Sequence, residues 1–199
     1  PETIHERVQA IPQIDTQPEL WLLSSSGQSG EFAAQLGMGF TFAQFINPSG
    51  GPAAVRAYRQ QFRPSPELAA PQASVALFVL CADTEEKANA LAKAMLMQLL
   101  RFEQGVRGPY PTAAEAAAYQ FGPLERTRLR HHQTRVVSGT PAQVHAQLTE
   151  LAADYEVDEL ILTSITADFA DRLRSYELLA EAFELSPANA LVAESAGLD

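Results

Sequence analysis

Serine and glycine residues that could bind a phosphate follow the first apolar run of the chain, in the order Ser24-Ser25-Ser26-Gly27-Gln28-Ser29-Gly30. The apolar run, LWLLSS, predicts a buried strand, and the residues after it predict a short helix. The first amides of a helix have no internal partners and its dipole favours negative charge, so serine hydroxyls and Gly27 at this junction could hold an anion. The alternative is that Ser26 or Ser29 only caps the helix.

Other residue types that commonly carry chemistry are sparse. Cys81 is the single cysteine and lies in the apolar run VALFVLCAD, which predicts a packed, inert thiol. Among the four histidines, His131 and His132 are adjacent and therefore face different directions on a helix. His5 lies near the start, and His145 lies on a predicted amphipathic helix and is expected to face solvent. We therefore expect solvated or structural roles for all four histidines, and predict no metal site.

Composition and charge limit the classes of partner. The chain has 199 residues, of which 46% are hydrophobic and 19% are charged, as in a globular domain with a core. Its formal charge of -10 argues against a nucleic-acid or anionic-membrane surface, because phosphate groups would be repelled. No apolar run approaches the roughly 18 residues of a membrane span, and the first residues lack the pattern of a signal peptide. We therefore expect a cytoplasmic protein.

Predicted strands alternate with predicted helices along most of the chain. The four strands are LWLLSS, GFTFAQFI, SVALFVLCA and VDELILTSI. Helices are expected to begin near Ser29 and Pro52, at a capping box of Asp83 and Glu86, and at a capping box of Thr140 and Gln143. The helix after Asp83 is expected to run to about Gln104, and the segment from there to His132 is left unassigned. A last helix carries an apolar stripe of Phe169, Leu173, Tyr176, Leu179, Ala180 and Phe183. The first helix is expected to pack through Phe32, Ala33 and Leu36 and to end at a left-handed Gly37.

This alternation predicts an α/β fold with a parallel sheet. Periodicity alone leaves two architectures open, an open doubly wound sheet and part of a barrel. A complete (β/α)8 barrel takes about 250 residues, so 199 residues with four βα units are too few for one.

Several stretches, in order, resemble the luciferase-like flavin-dependent monooxygenases of the bacterial luciferase superfamily. The first, PELWLLSSSGQSGEFAAQLGMGFTFAQFINPSGGPAAVRAYRQQF, is similar to a segment in which a strand ends in Ser-Ser-Gly-x-Ser and a helix carries Ala-Ala-x-Leu-Gly. The resemblance continues through SVALFVLCADTEEKA, VVSGTPAQVHAQL, VDELILTS and RLRSYELLAEAF. It implies a (β/α)8 TIM barrel of the bacterial luciferase type, of which this chain holds only the C-terminal part, as one partial domain (1–199) with a flexible tail (186–199).

The resemblance also implies a function. Family members use reduced FMN and O2 to oxidise a small organic substrate, a monooxygenase reaction on paired donors. By position, Ser25 and Ser26 would meet the FMN phosphate through backbone amide and hydroxyl, Ser29 would add a hydroxyl, and Gly27 would let the backbone approach. Gln44 is a candidate substrate-binding residue, although it could instead face the helix layer or a neighbouring loop. The luciferase proper has a glutamate at the position of Ser25, so light emission is not expected.

The family's N-terminal half is expected to lie outside this sequence. In the family that half supplies the first four strands, a basic residue on the phosphate and the histidine usually credited with catalysis, so no catalytic residue is assigned here. We expect a homo-oligomer or completion by the missing half, since half a barrel leaves strand edges uncovered. A flavin reductase is an expected partner, because no G-x-G-x-x-G dinucleotide motif follows a strand. The alternatives are a non-catalytic flavin-binding or association module and an unrelated open-sheet phosphate binder.

Overall fold

A computed structural model describes residues 11–12 and 18–185. In that part of the chain, five strands and seven helices form an α/β fold around a parallel sheet. In chain order the elements are β1 (Trp21–Ser24), α1 (Gly27–Leu36), β2 (Gly39–Ala43), α2 (Gly51–Gln61), β3 (Ala73–Cys81), α3 (Glu85–Glu103), α4 (Ala113–Ala118), α5 (Pro123–Gln133), β4 (Val136–Gly139), α6 (Pro141–Tyr155), β5 (Glu159–Thr163) and α7 (Phe169–Ala182).

β3 is the central strand of the sheet. Its first half pairs with β2, and β2 pairs in turn with β1. Ala76 has partners in both β2 and β5, which therefore lie on opposite edges of β3. Phe78 has partners in both β4 and β5, so β4 lies on the same edge as β2, further along β3. All four pairings are parallel, as the alternation of strands and helices predicts.

Alternate residues of β3 pack into two different cores because successive side chains of a strand point to opposite faces. Val75, Leu77, Val79 and Cys81 are fully buried, or nearly so, in the main core, which also takes residues from α1, α2, α6 and α7. Phe78 and Leu80 pack in a second core against α3. The buried position of Cys81 is as predicted, and burial raises the pKa of its thiol.

The first helix differs from its prediction in its start and its buried face. α1 begins at Gly27 and ends at the predicted Gly37, whose φ of 64° is left-handed. The buried residues are Gly30, Ala33 and Ala34. Phe32 and Leu36 were predicted to pack but are 53% and 63% exposed. Small residues allow α1 to pack closely on β2 and α2, and this contact determines which face is buried.

Local contacts also differ from prediction at the start of α3. Thr84 is the N-cap and accepts a hydrogen bond from the Lys87 amide at 3.2 Å, so the predicted capping box of Asp83 and Glu86 is wrong by one residue. The Asp83 carboxylate instead binds Arg174 of α7, with a shortest N–O distance of 2.7 Å. That ion pair lowers the pKa of Asp83.

The ends of the chain's other elements fit the predictions in part. Thr140 and Gln143 form the predicted capping box of α6. β2 ends at Ala43, earlier than the run GFTFAQFI suggests, and β4 is an unpredicted fifth strand. The stripe predicted for α7 is wrong at Phe169, Leu173 and Tyr176, which are exposed, whereas Leu178 and Leu179 are buried.

Helices α3, α4 and α5 occupy the stretch between β3 and β4. α3 ends near Gln104 as predicted, and α4 and α5 lie in the segment that the sequence pattern leaves unassigned. Both α4 and α5 pack on α3. Among residues 18–185, no helix combines the length and apolar character required to cross a membrane.

Candidate functional site

The residues Ser25 to Ser29, called the serine loop below, and Gln44 both lie where the parallel strands of the sheet end. β1 and β2 are parallel, and Ser24 at the end of β1 is paired with Phe42 near the end of β2. The residues that follow the two strands are Ser25 to Ser29 and Gln44. They therefore lie at the carboxyl ends of the strands, and this side of the sheet is called the carboxyl edge. This is the edge at which parallel α/β folds bind ligands.

The first turn of α1 contains both capping contacts and free donors. Ser26 is the N-cap, and its hydroxyl accepts from the Ser29 amide at 3.2 Å. The Ser26 and Ser29 hydroxyl oxygens are 2.9 Å apart, so one of their two hydrogens remains available. Within residues 18–185, the amides of Gly27 and Gln28 and the hydroxyl of Ser25 make no hydrogen bond. Ser26 therefore caps the helix, and the same turn still has donors that could bind an anion.

Two glycines of this turn have different surroundings. A Cβ atom added to Gly30 would lie 3.2 Å from the Phe40 ring, so Gly30 allows the close packing of α1 on β2. A Cβ atom added to Gly27 would have no atom within 4 Å. Gly27 therefore borders open space, and packing within the described chain gives no reason for a glycine there.

Gln44 has a buried side-chain oxygen with no partner. The residue is 8% exposed, and its Oε1 atom makes no hydrogen bond within the described residues. Buried amide groups are nearly always hydrogen-bonded, since an unmet one costs about 1–3 kcal/mol. The only other buried side-chain oxygen or nitrogen without a partner in that part of the chain is the Tyr110 hydroxyl. The buried atom of this amide that lacks a partner is the oxygen, and because it has no accessible surface, a ligand could reach it only after the side chain rotates.

A cluster around the buried His132 was not predicted. His132 is 5% exposed, and its Nε2 atom lies 3.0 Å from a Glu103 carboxylate oxygen. Its Nδ1 atom accepts from Arg135, 3.0 Å away, so the ring is neutral with the proton on Nε2. Burial lowers the pKa of His132. Arg135 also donates through Nε to the Phe45 carbonyl at 2.7 Å, which ties this cluster to the loop after β2.

The remaining histidines were predicted to have solvated or structural roles. His131 and His145 are exposed, and the His145 ring lies 4.6 Å from the Phe183 ring. His5 lies outside the described residues. Within the described ranges, no group of three His, Cys, Asp or Glu side chains is placed to hold a metal ion.

A family profile identifies the chain. The profile of the luciferase-like monooxygenases matches residues 2–158. The chain belongs to the luciferase-like monooxygenase family. The protein YwcH of Bacillus subtilis (strain 168), a relative of this luciferase-like chain, is 45% identical over 175 residues, covering 87% of the chain and 53% of YwcH.

Two solved structures share the fold of this chain. Apo-MsnO8 has a TM-score of 0.81 at 37% identity, covering 89% of this luciferase-like chain and 54% of MsnO8. The oxygenating constituent of 3,6-diketocamphane monooxygenase from Pseudomonas putida, solved in complex with FMN, shares the fold at 15% identity with a TM-score of 0.51, covering 83% and 48% of the two chains. The chain spans about half the length of the relatives it matches.

Proposed function

We propose that this chain supplies the phosphate-binding part of an FMN-dependent monooxygenase site. The observation that carries the proposal is the first turn of α1, where free amides, serine hydroxyls and open space beside Gly27 meet at the carboxyl edge of the sheet. Ser25, Ser26, Gly27 and Ser29 would hold the phosphate. The family assignment and the FMN complex of a protein with the same fold support this choice of ligand.

The residues present fit FMN in two further respects. The protein has a formal charge of -10, so a phosphate is held by local donors rather than by overall attraction, and the α1 terminus provides such donors. Gln44 has an unmatched amide oxygen at the same edge, which would meet the organic substrate or the cofactor beside it after the side chain rotates. Bound FMN in its reduced form would supply the electrons with which O2 transfers one oxygen atom to the substrate and releases the other as water.

The remainder of the barrel would come from a further segment of the protein. In the described residues β1 pairs only with β2, and β5 pairs only with β3. Leu23 of β1 and Ile161 of β5 are 55% and 45% exposed. These open edges support the reading of the chain as the C-terminal part of a (β/α)8 barrel. A separate flavin reductase would then supply reduced FMN.

The test is FMN binding by the full-length protein, followed through flavin fluorescence. Ser26→Asp keeps a good helix cap but places a negative charge at the phosphate position, so we expect FMN affinity to fall by about tenfold or more. Ser29→Ala, which removes one hydroxyl, should lower it several-fold. Ser49→Ala, an exposed serine in the loop after β2, is the matched control and should leave it unchanged.

Two results would contradict the proposal. One is a folded full-length protein that does not bind FMN. The other is a Ser26→Asp variant with the affinity of the wild type, which would leave these serines with a capping role only.

A further inference from the structure

Arg135 connects a buried histidine to the loop after β2. Its guanidinium donates through Nη1 to His132 Nδ1 at 3.0 Å and through Nε to the Phe45 carbonyl at 2.7 Å. Because the guanidinium is planar and rigid, a movement that breaks one of these bonds also displaces the other. Gln44 and Phe45 directly follow β2, so this contact lies at the carboxyl edge.

Both acceptors of Arg135 are neutral groups. Within residues 18–185 its guanidinium forms no ion pair, and the Glu103 carboxylate acts on its charge from beyond ion-pair distance. Arginine side chains that are withdrawn from solvent are usually bound by carboxylates or phosphates. Arg135 depends instead on the lone pair of the neutral His132 ring.

The loop after β2 (44–50) is attached to the sheet through its first residues. The Phe45 amide donates to the Ala76 carbonyl at 3.2 Å, and the Ile46 amide donates back to the end of β2 at 3.0 Å. The loop contains no charged residue. Loss of the Arg135 contact would therefore leave the Phe45 carbonyl without its donor and weaken the loop where it joins β2.

A proton on His132 would remove the acceptor that Arg135 uses. An imidazolium has N–H groups on both ring nitrogens and cannot accept a hydrogen bond. The new Nδ1–H group would face an arginine N–H group 3.0 Å away, with like charges on both sides. The Nε2 bond to Glu103, 3.0 Å long, would at the same time become a bond between opposite charges. The ring would therefore stay in place, and Arg135 would move.

Four charged or titratable groups surround the ring. Glu103 of α3 accepts from Nε2 and also pairs with Arg128 of α5 at 3.6 Å. The exposed His131 ring is 5.9 Å away, and Arg135 lies in the turn before β4. Burial is the main cause that lowers the pKa of His132, and Glu103 opposes it. The ring is therefore neutral at pH 7 and takes up a proton only below about pH 6.5.

We propose that His132 is a pH-operated latch on the loop after β2: the neutral ring holds Arg135 against the Phe45 carbonyl, and proton uptake releases Arg135 and loosens the loop. The inference goes beyond the proposed function and does not rest on it, since it holds whether or not FMN binds at the carboxyl edge. It makes the mobility of the loop that carries Gln44 depend on pH.

The test combines NMR titration of the histidine rings with hydrogen exchange in the full-length protein between pH 7.5 and 5. Protection factors correct for the intrinsic effect of pH on exchange and report opening of the loop. We expect the protection of the Phe45 and Ile46 amides to fall by about tenfold, as for loss of one hydrogen bond to a charged group, with the midpoint of the His132 titration. The Met38 amide, which donates to the Ala33 carbonyl at 3.0 Å beside the end of α1, should keep its protection.

Three variants isolate the latch. Arg135→Ala removes the guanidinium and should give low loop protection at both ends of the pH range. His132→Asn keeps an acceptor near the Nδ1 position but cannot take up a proton, so the loop should no longer respond to pH. His131→Gln replaces the exposed neighbour and is the matched control, which should keep the wild-type response.

The inference is overturned if His132 takes up no proton down to pH 5, or if it does so while the protection of the loop stays constant. Wild-type protection in Arg135→Ala at pH 7.5, or a wild-type pH response in His132→Asn, would also overturn it. So would a loss of protection that reaches Met38 to the same extent, because the protein would then be opening as a whole.

Discussion

The Ser175 hydroxyl of α7 donates to the Ser164 hydroxyl, which lies 3.2 Å away just after β5. The direction follows from the neighbouring bonds. Ser164 uses its own hydrogen on the Val79 carbonyl at 2.7 Å, and the Ser175 oxygen accepts from the Cys81 amide at 2.9 Å. Two serines thus join the last helix to two backbone groups of β3 in a fully buried chain of hydrogen bonds.

Ser175→Ala should lower the free energy of unfolding by about 1–3 kcal/mol, because it leaves the buried Cys81 amide without an acceptor. Urea denaturation of the full-length protein measures the change. Thr149→Ala is the control, since its hydroxyl bonds the His145 carbonyl on an exposed helix face and its removal should have little effect. Equal stabilities for Ser175→Ala and the wild type would mean that water replaces the lost oxygen.

Ser26→Ala should lower the free energy of unfolding by about 1 kcal/mol through loss of the α1 cap. Ser26→Asp should retain most of that stability, because aspartate caps helices as well as serine does. Ser29→Ala removes only an exposed bond to Ser26 and serves as the comparison in the same denaturation series. A fully stable Ser26→Ala variant would show that the cap observed at Ser26 has no energetic weight.

Gly27→Ala should separate stability from FMN affinity. The added Cβ atom meets no other atom and alanine is the better helix former, so the ligand-free protein should be as stable as the wild type or slightly more so. FMN affinity should fall, because the methyl group occupies the space proposed for the phosphate. Gly30→Ala is the contrasting variant, since its Cβ atom would crowd the Phe40 ring and destabilise the fold. Unchanged FMN affinity in Gly27→Ala would place the phosphate elsewhere.

The neutral state of His132 predicts a pH dependence of stability. The pKa of His132 is lowered from 6.5 in the folded protein, chiefly by burial, so the unfolded chain takes up its proton first as pH falls. The stabilising contribution of this group is complete above about pH 6.5 and is lost as pH falls through the folded pKa. Glu103 and Arg135 bond the ring, and Arg128 and His131 lie beside the cluster.

The measurement is the free energy of unfolding between pH 7.5 and 5 for the wild type and His132→Gln. We expect the wild type to lose stability relative to His132→Gln as pH decreases, so that the difference between them shrinks. His131→Gln changes the exposed neighbour and should keep the wild-type profile. Parallel profiles for the wild type and His132→Gln would contradict the assignment of this titration.

Much of the fold follows from local sequence patterns. The strand at Trp21–Ser24, the left-handed Gly37 and the capping box at Thr140 are each determined by residues within a few positions, and all three are present. β4 was not predicted because it has only four residues, two of which are Ser138 and Gly139, and so short a stretch shows no clear strand pattern. Its position depends on pairing with β3, which is a tertiary contact.

The candidate site was predictable only where its residues are consecutive. The serine loop is a local motif, whereas the unmatched oxygens of Gln44 and Tyr110 result from burial by distant segments. The exposed faces of α1 and α7 were mistaken for packed ones because an amphipathic stripe does not reveal what covers it. At Phe32 and Phe169, the described residues provide no cover.

The position of β3 has a consequence for synthesis of the protein on the ribosome. β3 pairs with β2, which precedes it, but its other edge pairs with β5, which is translated only after α3, α4, α5, β4 and α6. The nascent chain therefore carries an apolar strand with an unpaired edge throughout that interval. Such an edge can pair with other chains, so the nascent protein is open to misassociation for longer than a fold in which each strand pairs with its immediate successor.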